Sequence, residues 1–254
     1  MRITVTRTWL PAFACALLST LALSGCIYSH DSGNDTAQGD APGPGGSAAD
    51  QDHDGDGTHA INSSLHISAG EKGGEVSTIN GSIRVDDNAQ ISGGHTVNGS
   101  ISLGDHATAT SLTTVNGGIS LGIDAHASQT VSTVNGTLAL RHGSEVGGRL
   151  ANINGTILLT GATVNGGITT VNGNIEIGPN SHVAGGIIVH KPSTGFFQWW
   201  SDSDQPRVVV GPGAVVEGTM QFDRAVHLYV SDTATIGPVT GATPVKFSGD
   251  HPPG

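Results

Sequence analysis

Several stretches of this chain hold residue types that do chemistry. Gly118-Ile119-Ser120-Leu121-Gly122 matches the G-x-S-x-G pattern in which a strand-to-helix elbow exposes a nucleophilic serine. There are twelve histidines, and His106, His126 and His182 each follow a candidate strand near a turn, where imidazoles could serve as metal ligands. Asp50, Asp52, Asp54 and Asp56, with Gly55 among them, have the alternating oxygen spacing that opens a calcium loop. Each has a plainer reading. The serine pentapeptide is one copy of a repeat, since Ser100-Ile101-Ser102-Leu103-Gly104 has the same form. Metal ligands must converge within a few ångströms, and His126 and His182 stand roughly three repeats apart. They read as solvated turn residues. The aspartate series lacks the bidentate Glu expected at its twelfth position, where Ile61 stands. It reads as a solvated acidic linker, with weak calcium binding as the alternative. No catalytic residue and no cofactor are assigned.

The N-terminus carries the most specific signal. Arg2 and Arg7 supply a positive region, and Trp9 to Leu23 is an apolar run too short for a comfortable membrane span. This is the pattern of a secretory signal peptide. It ends in Leu23-Ser24-Gly25-Cys26, which resembles the lipobox of bacterial lipoproteins. The resemblance implies cleavage before Cys26 and lipidation of its thiol and amine. Ile27 rather than Asp follows, which in Gram-negative lipoproteins resembles the default for the outer membrane. Acyl chains anchor firmly, because each buried CH2 contributes roughly 0.8 kcal/mol. Cys15 falls in the discarded segment and Cys26 takes lipid. The two cysteines are then spent, and no thiol is left for a disulfide, a nucleophile or zinc.

Residues 27 to 60 contain seven Asp and no Lys or Arg, and include the run APGPGGSAAD. Such a segment buries too little apolar surface to offset chain entropy, so a disordered spacer is expected. The whole chain is acidic, with a formal net charge of −11, and only 12% of residues are charged. This composition argues against a nucleic-acid partner, which would require a basic face to displace counterions. Glycine is abundant, with 39 residues, and aromatics make up only 4%. A helical bundle or a core of large rings is not expected.

The spacing of the remaining chain shows what positions these residues. Asn-Gly recurs at Asn80, Asn98, Asn116, Asn135, Asn154 and Asn172, in steps of 18 or 19, with one further copy at Asn165. Ile or Val precedes most copies, and Ile or Leu follows the glycine two residues on. Asn62-Ser63-Ser64-Leu65 aligns one step upstream. A fixed period in this range marks a solenoid. Short alternations such as Ile83-Arg84-Val85 and Ile101-Ser102-Leu103 point one strand face inward, and no helical face appears. The expected fold is all-β: a single-stranded parallel β-helix of about 18 residues per coil, over residues 61 to 240, on a disordered N-terminal linker. Asn-Gly is the expected corner. Glycine tolerates positive φ, and asparagine tolerates the left-handed region. Stacked amides could then bond along the axis. The alternative is a hairpin turn, which predicts no constant period.

The coils continue beyond the Asn-Gly series. Residues 177 to 185 align with 210 to 218, so one coil carries an insertion of about 15 residues at 191 to 205. It contains Phe196, Phe197, Trp199 and Trp200, half of the eight aromatics that follow Cys26. These four are the candidate interaction residues, either folded back over an apolar face or exposed to a partner. A further coil reads at 226 to 236, and 241 to 254 reads as a polar tail.

Coils such as Ile175 to Ile187 and Val208 to Met220 resemble the bactofilin polymer-forming domain, and the TVNGSI signature resembles bacterial putative-adhesin solenoids. Bactofilins build filaments from stacked β-helices, so the resemblance implies a scaffold that self-assembles. The export signal departs from their cytoskeletal setting. The expected function is a structural, self-associating or adhesive lipoprotein of the cell envelope, attached to the membrane by its lipid. The alternative is a module for envelope glycan, peptidoglycan or a protein partner that uses the aromatic insertion. A polysaccharide-active enzyme is the third class. It would need carboxylates repeated at one coil position, and here they are sparse. Cys26→Ser is expected to move the chain from the membrane fraction to the soluble fraction of its host. Unchanged sedimentation with membranes would refute the lipid anchor.

Overall fold

A computed structural model describes residues 57 to 192 and 205 to 252, together with the backbone of 52 to 54. The chain divides into two units, 1 to 46 and 47 to 254, and the described residues belong to the second. The linker up to residue 51, Cys26 and the aromatic residues at 196 to 200 lie outside the described residues. So do Asp50 and Asp56.

The described residues form a parallel β-solenoid with no helix. Each coil contributes a short strand to each of three faces, and like strands stack in register. On the first face, Ile83 pairs with Ile101, then Ile119, Leu138, Ile157, Ile175, Val208 and Leu228 in succession. On the second, His126 lies between Thr108 and Glu145, and Thr163, His182 and Val215 follow. On the third, Val131 lies between Leu112 and Leu150, and Ile168, Ile187 and Met220 follow. Ile177 pairs with Val210 although 33 residues separate them, so the register is the same on both sides of the insertion.

Alternation explains the core. First-face strands such as Ile83–Val85, Ile101–Leu103 and Leu138–Leu140 bury their outer two residues and turn the middle one outward. The three inward stripes meet along the axis as one column of Ile, Val, Leu and Ala. Removing this surface from water supplies about 25 cal/mol per Å². Large rings were not expected inside. Phe222 and Phe247 are nevertheless buried in the C-terminal coils, with Met220 beside Phe222 in the same strand. The interior there accepts larger side chains than in the Asn-Gly coils.

The ladder extends past both expected ends. Gly57–Ala60 already pairs in parallel with Glu75–Thr78, one period above it. Of its residues only Ala60 is buried, so it had no apolar alternation to reveal it. Asp52–Asp54 pairs antiparallel with its outer edge. At the other end, Val245–Phe247 adds a tenth first-face strand within the expected tail, and buried Phe247 holds it to the core.

The corner chemistry differs from the expected one. Asn80, Asn98, Asn116 and Asn135 and their glycines do not have positive φ, and Gly155 alone in the series does, at 130°. Eight left-handed residues form another column, between the first and second faces: Gly70, Asn88, His106, Asp124, Gly143, Gly161, Asn180 and Gly213, with φ from 53° to 73°. Apart from the first, at Gly70, each turn there delivers a small buried residue to the interior, as Ala89, Ala107, Ala125 and Ser144 show. In the Asn-Gly corners the glycine is required by close approach. A Cβ on Gly99 would lie 1.9 Å from the Gly81 carbonyl oxygen, and one on Gly117 2.0 Å from that of Gly99. Backbone stacks on backbone here, and no side chain fits between.

Gly117→Ala is therefore expected to destabilise the solenoid by at least about 2 kcal/mol, because the contact it strains is backbone and cannot yield by a rotamer change. Urea unfolding followed by circular dichroism reads this. An unchanged midpoint would show that the corner relaxes.

Candidate functional surface

The Asn-Gly corner carries a continuous amide ladder. Asn80 donates from Nδ2 to Asn62 Oδ1 at 2.9 Å, and Asn98, Asn116, Asn135 and Asn154 each repeat the bond to the residue below at 2.9 Å. Asn172 closes the series onto Asn154 at 3.0 Å. Its own Oδ1 accepts from Arg224 Nη1 at 2.6 Å. Arg224 also reaches the Val171 carbonyl at 3.3 Å. A cation from a later coil thus completes the ladder above Asn172.

Beneath the ladder a second column, unseen in the sequence, satisfies the corner backbone. Thr96 Oγ1 donates to the Gly81 carbonyl at 2.8 Å, and Thr114 and Thr133 do the same to Gly99 and Gly117 at 2.9 Å. These threonines are buried. Each stands two residues before the asparagine, so the recurring Thr-Val-Asn-Gly reads as three roles. Threonine caps the carbonyl below, asparagine bonds along the axis, and glycine permits contact. The aliphatic residue between them lies at the surface, where Ile61 and Ile79 are exposed.

The histidines occupy a different pattern from isolated solvated turn residues. Six sit against a carboxylate of a neighbouring coil: His66 with Asp86 at 2.7 Å, His182 with Glu217 at 2.9 Å and His190 with Asp223 at 3.1 Å. The other three, His95 with Glu75, His126 with Glu145 and His106 with Asp124, lie at 3.5, 3.6 and 3.8 Å. The hydrogen bond from His66, then that from Arg84, holds the Asp86 carboxyl below its ordinary value. The sequence signal was a histidine followed or preceded by an acid one period away, and it is visible only once the coils are aligned. His126 and His182 are three coils apart, joined through Glu145 and Thr163. No group of three or more His, Cys, Asp or Glu converges among the described residues. Asp52 and Asp54 belong to a short antiparallel strand.

Ser120 projects from the first face between Ser102 and Ala139 on parallel strands, with no helix to make an elbow. It lines a shallow polar groove of about 330 Å³. Ser102 and Ser120 are short residues in an outward column that has Arg84 one coil below, and this makes the recess. Arg84, Arg141, Asp86, Asp87 and Asp105 surround it. Asp87 and Asp105 also serve the fold, accepting at 2.8 Å from the backbone N–H of Asp105 and Ile123 in the next coil.

Comparison with protein-family models, with curated proteins and with solved structures returns no match for this chain.

One coil breaks the threonine rule. Asn152 takes the threonine position and donates to the Gly136 carbonyl at 2.8 Å, but its Oδ1 is buried without a hydrogen-bond partner among the described residues. Asn152→Thr keeps the donor and removes the orphan acceptor. It is expected to stabilise the solenoid by about 1 kcal/mol, read as a higher urea midpoint. A lower midpoint would mean that the wider side chain is needed at this coil.

Proposed function

We propose that this chain is a non-catalytic, lipid-anchored β-solenoid of the cell envelope, held at the outer membrane through Cys26, whose work is self-association and scaffolding or adhesion. The observation that carries this reading is the state of the terminal coils. Thr235–Ile236, Val239–Thr240 and Val245–Phe247 each pair on one side only among the described residues. An unpaired strand edge offers a row of N–H and C=O groups to another chain. Val245, on the last of these strands, is half exposed. The resemblance to polymer-forming solenoids supports the same reading, and the lipobox-like tetrapeptide supports the anchor.

A second reading, glycan binding, is favoured by the polar groove, whose serines, arginines and carboxylates offer donors and acceptors side by side. The lipidated chain, purified in detergent, separates the two by light scattering and negative-stain microscopy. End-to-end oligomers or filaments that grow with concentration are expected. A monomer at every concentration would remove self-association and leave the groove and the aromatic insertion as the binding candidates.

A further inference from the structure

The seventh Asn-Gly, at Asn165, has no part in the ladder. It occupies the corner between the second and third faces, where Asn165 and Gly166 are both exposed. Its amide is tethered differently. Asn165 Nδ2 donates to Glu145 Oε1 at 2.8 Å, an exposed carboxylate on the coil below. Each of the six ladder amides is bound at both ends instead. Asn116, for example, donates to Asn98 and accepts from Asn135.

This difference bears on a reaction intrinsic to Asn-Gly. The glycine backbone nitrogen can attack the asparagine Cγ, because glycine presents no side chain to hinder it. The new N–Cγ bond forms a five-membered succinimide. The Cγ–Nδ2 bond breaks, and ammonia leaves with the proton lost from the glycine nitrogen. Water then opens either C–N bond of the ring, leaving an aspartyl or an isoaspartyl residue. The attack requires the amide to swing out of its resting geometry. In the ladder, that motion breaks two side-chain hydrogen bonds. At Asn165 the side chain has one such bond in the structure.

The backbone does not distinguish the sites. Gly166 N–H donates to Gly148 O at 3.0 Å, and Gly117 and Gly136 N–H make equivalent 3.0 Å bonds to Asn135 and Asn154 carbonyls. The side-chain tether does.

We propose that Asn165 is the self-modifying site of this protein, deamidating through a succinimide with Gly166, and that the ladder protects the other six Asn-Gly pairs in the folded state. The product carries a new carboxylate beside Glu145, whose other oxygen faces His126 at 3.6 Å. The donor to Glu145 is replaced by a like charge at the junction of three second-face strands. The site thus turns elapsed time into a local charge change on one face of the coil.

The test uses the full chain in detergent, held in mildly alkaline buffer, with samples drawn over weeks. Peptide mapping by mass spectrometry reads the gain in mass and the isoaspartyl fraction at each of the seven asparagines. A parallel sample in denaturant supplies each site's intrinsic rate. One extra hydrogen bond to break corresponds to about a fivefold difference in rate. Asn165 is therefore expected to convert about fivefold faster than any ladder asparagine in the folded chain, while the seven rates converge in denaturant. Ladder asparagines that convert as fast as Asn165 in the folded chain would overturn ladder protection. A folded chain in which Asn165 stays intact while the denatured sample converts would overturn its assignment as the reactive site.

Discussion

Everything in this solenoid depends on letting one coil's backbone touch the next. Parallel strands lie about 4.8 Å apart, and at the Asn-Gly corner even the turns must close to that distance. A Cβ on Gly99 or Gly117 would fall about 2 Å from a carbonyl oxygen of the coil below. Glycine is thus a spacing requirement. Once the turns are in contact, their carbonyls are out of reach of solvent, and a buried polar group without a partner costs free energy. The threonine column meets that demand, and the asparagine ladder covers it from outside. Core, corner and ladder are therefore one arrangement, repeated.

Much of this was legible in the sequence because it is periodic. The 18-residue step and the Ile-x-Val alternation identify the parallel solenoid and its inward face, and Ile177 and Val210 keep their register across the insertion. The roles of single positions were harder to read. The left-handed conformation expected at Asn-Gly belongs instead to the column that includes Asn88, His106, Asp124 and Asn180. Side-chain propensity alone does not tell a corner that needs positive φ from one that needs contact. Thr96 and Thr114 looked like ordinary strand residues, since the carbonyls they serve lie 15 residues back. Arg224 stands 52 residues from Asn172, and no local pattern links them. The strand at Gly57–Ala60 was hidden because main-chain pairing, with little apolar burial, holds it.

The outer surface reuses the same register for electrostatics. Because like positions stack, a histidine on one coil meets whatever stands one coil away, and in six places that is a carboxylate. Individual exposed pairs are worth at most about 1 kcal/mol. Each pair sets an imidazole of one coil against a carboxylate of another. Where small residues replace long ones in an outward column, as at Ser102 and Ser120, the same stacking makes a recess. A solenoid of this kind can change its surface one coil at a time without touching its interior.

The asparagine ladder also has a direction. Every amide turns its NH2 toward the N-terminal coil and its oxygen toward the C-terminal coil. Aligned dipoles add, as peptide dipoles do along a helix. The corner column is thus an electret, positive at its N-terminal end and negative where Asn172 Oδ1 emerges. The guanidinium of Arg224 sits at the negative pole. The fold carries a built-in polarity along its axis, set by side chains alone, and its negative end is covered by a cation of the same chain.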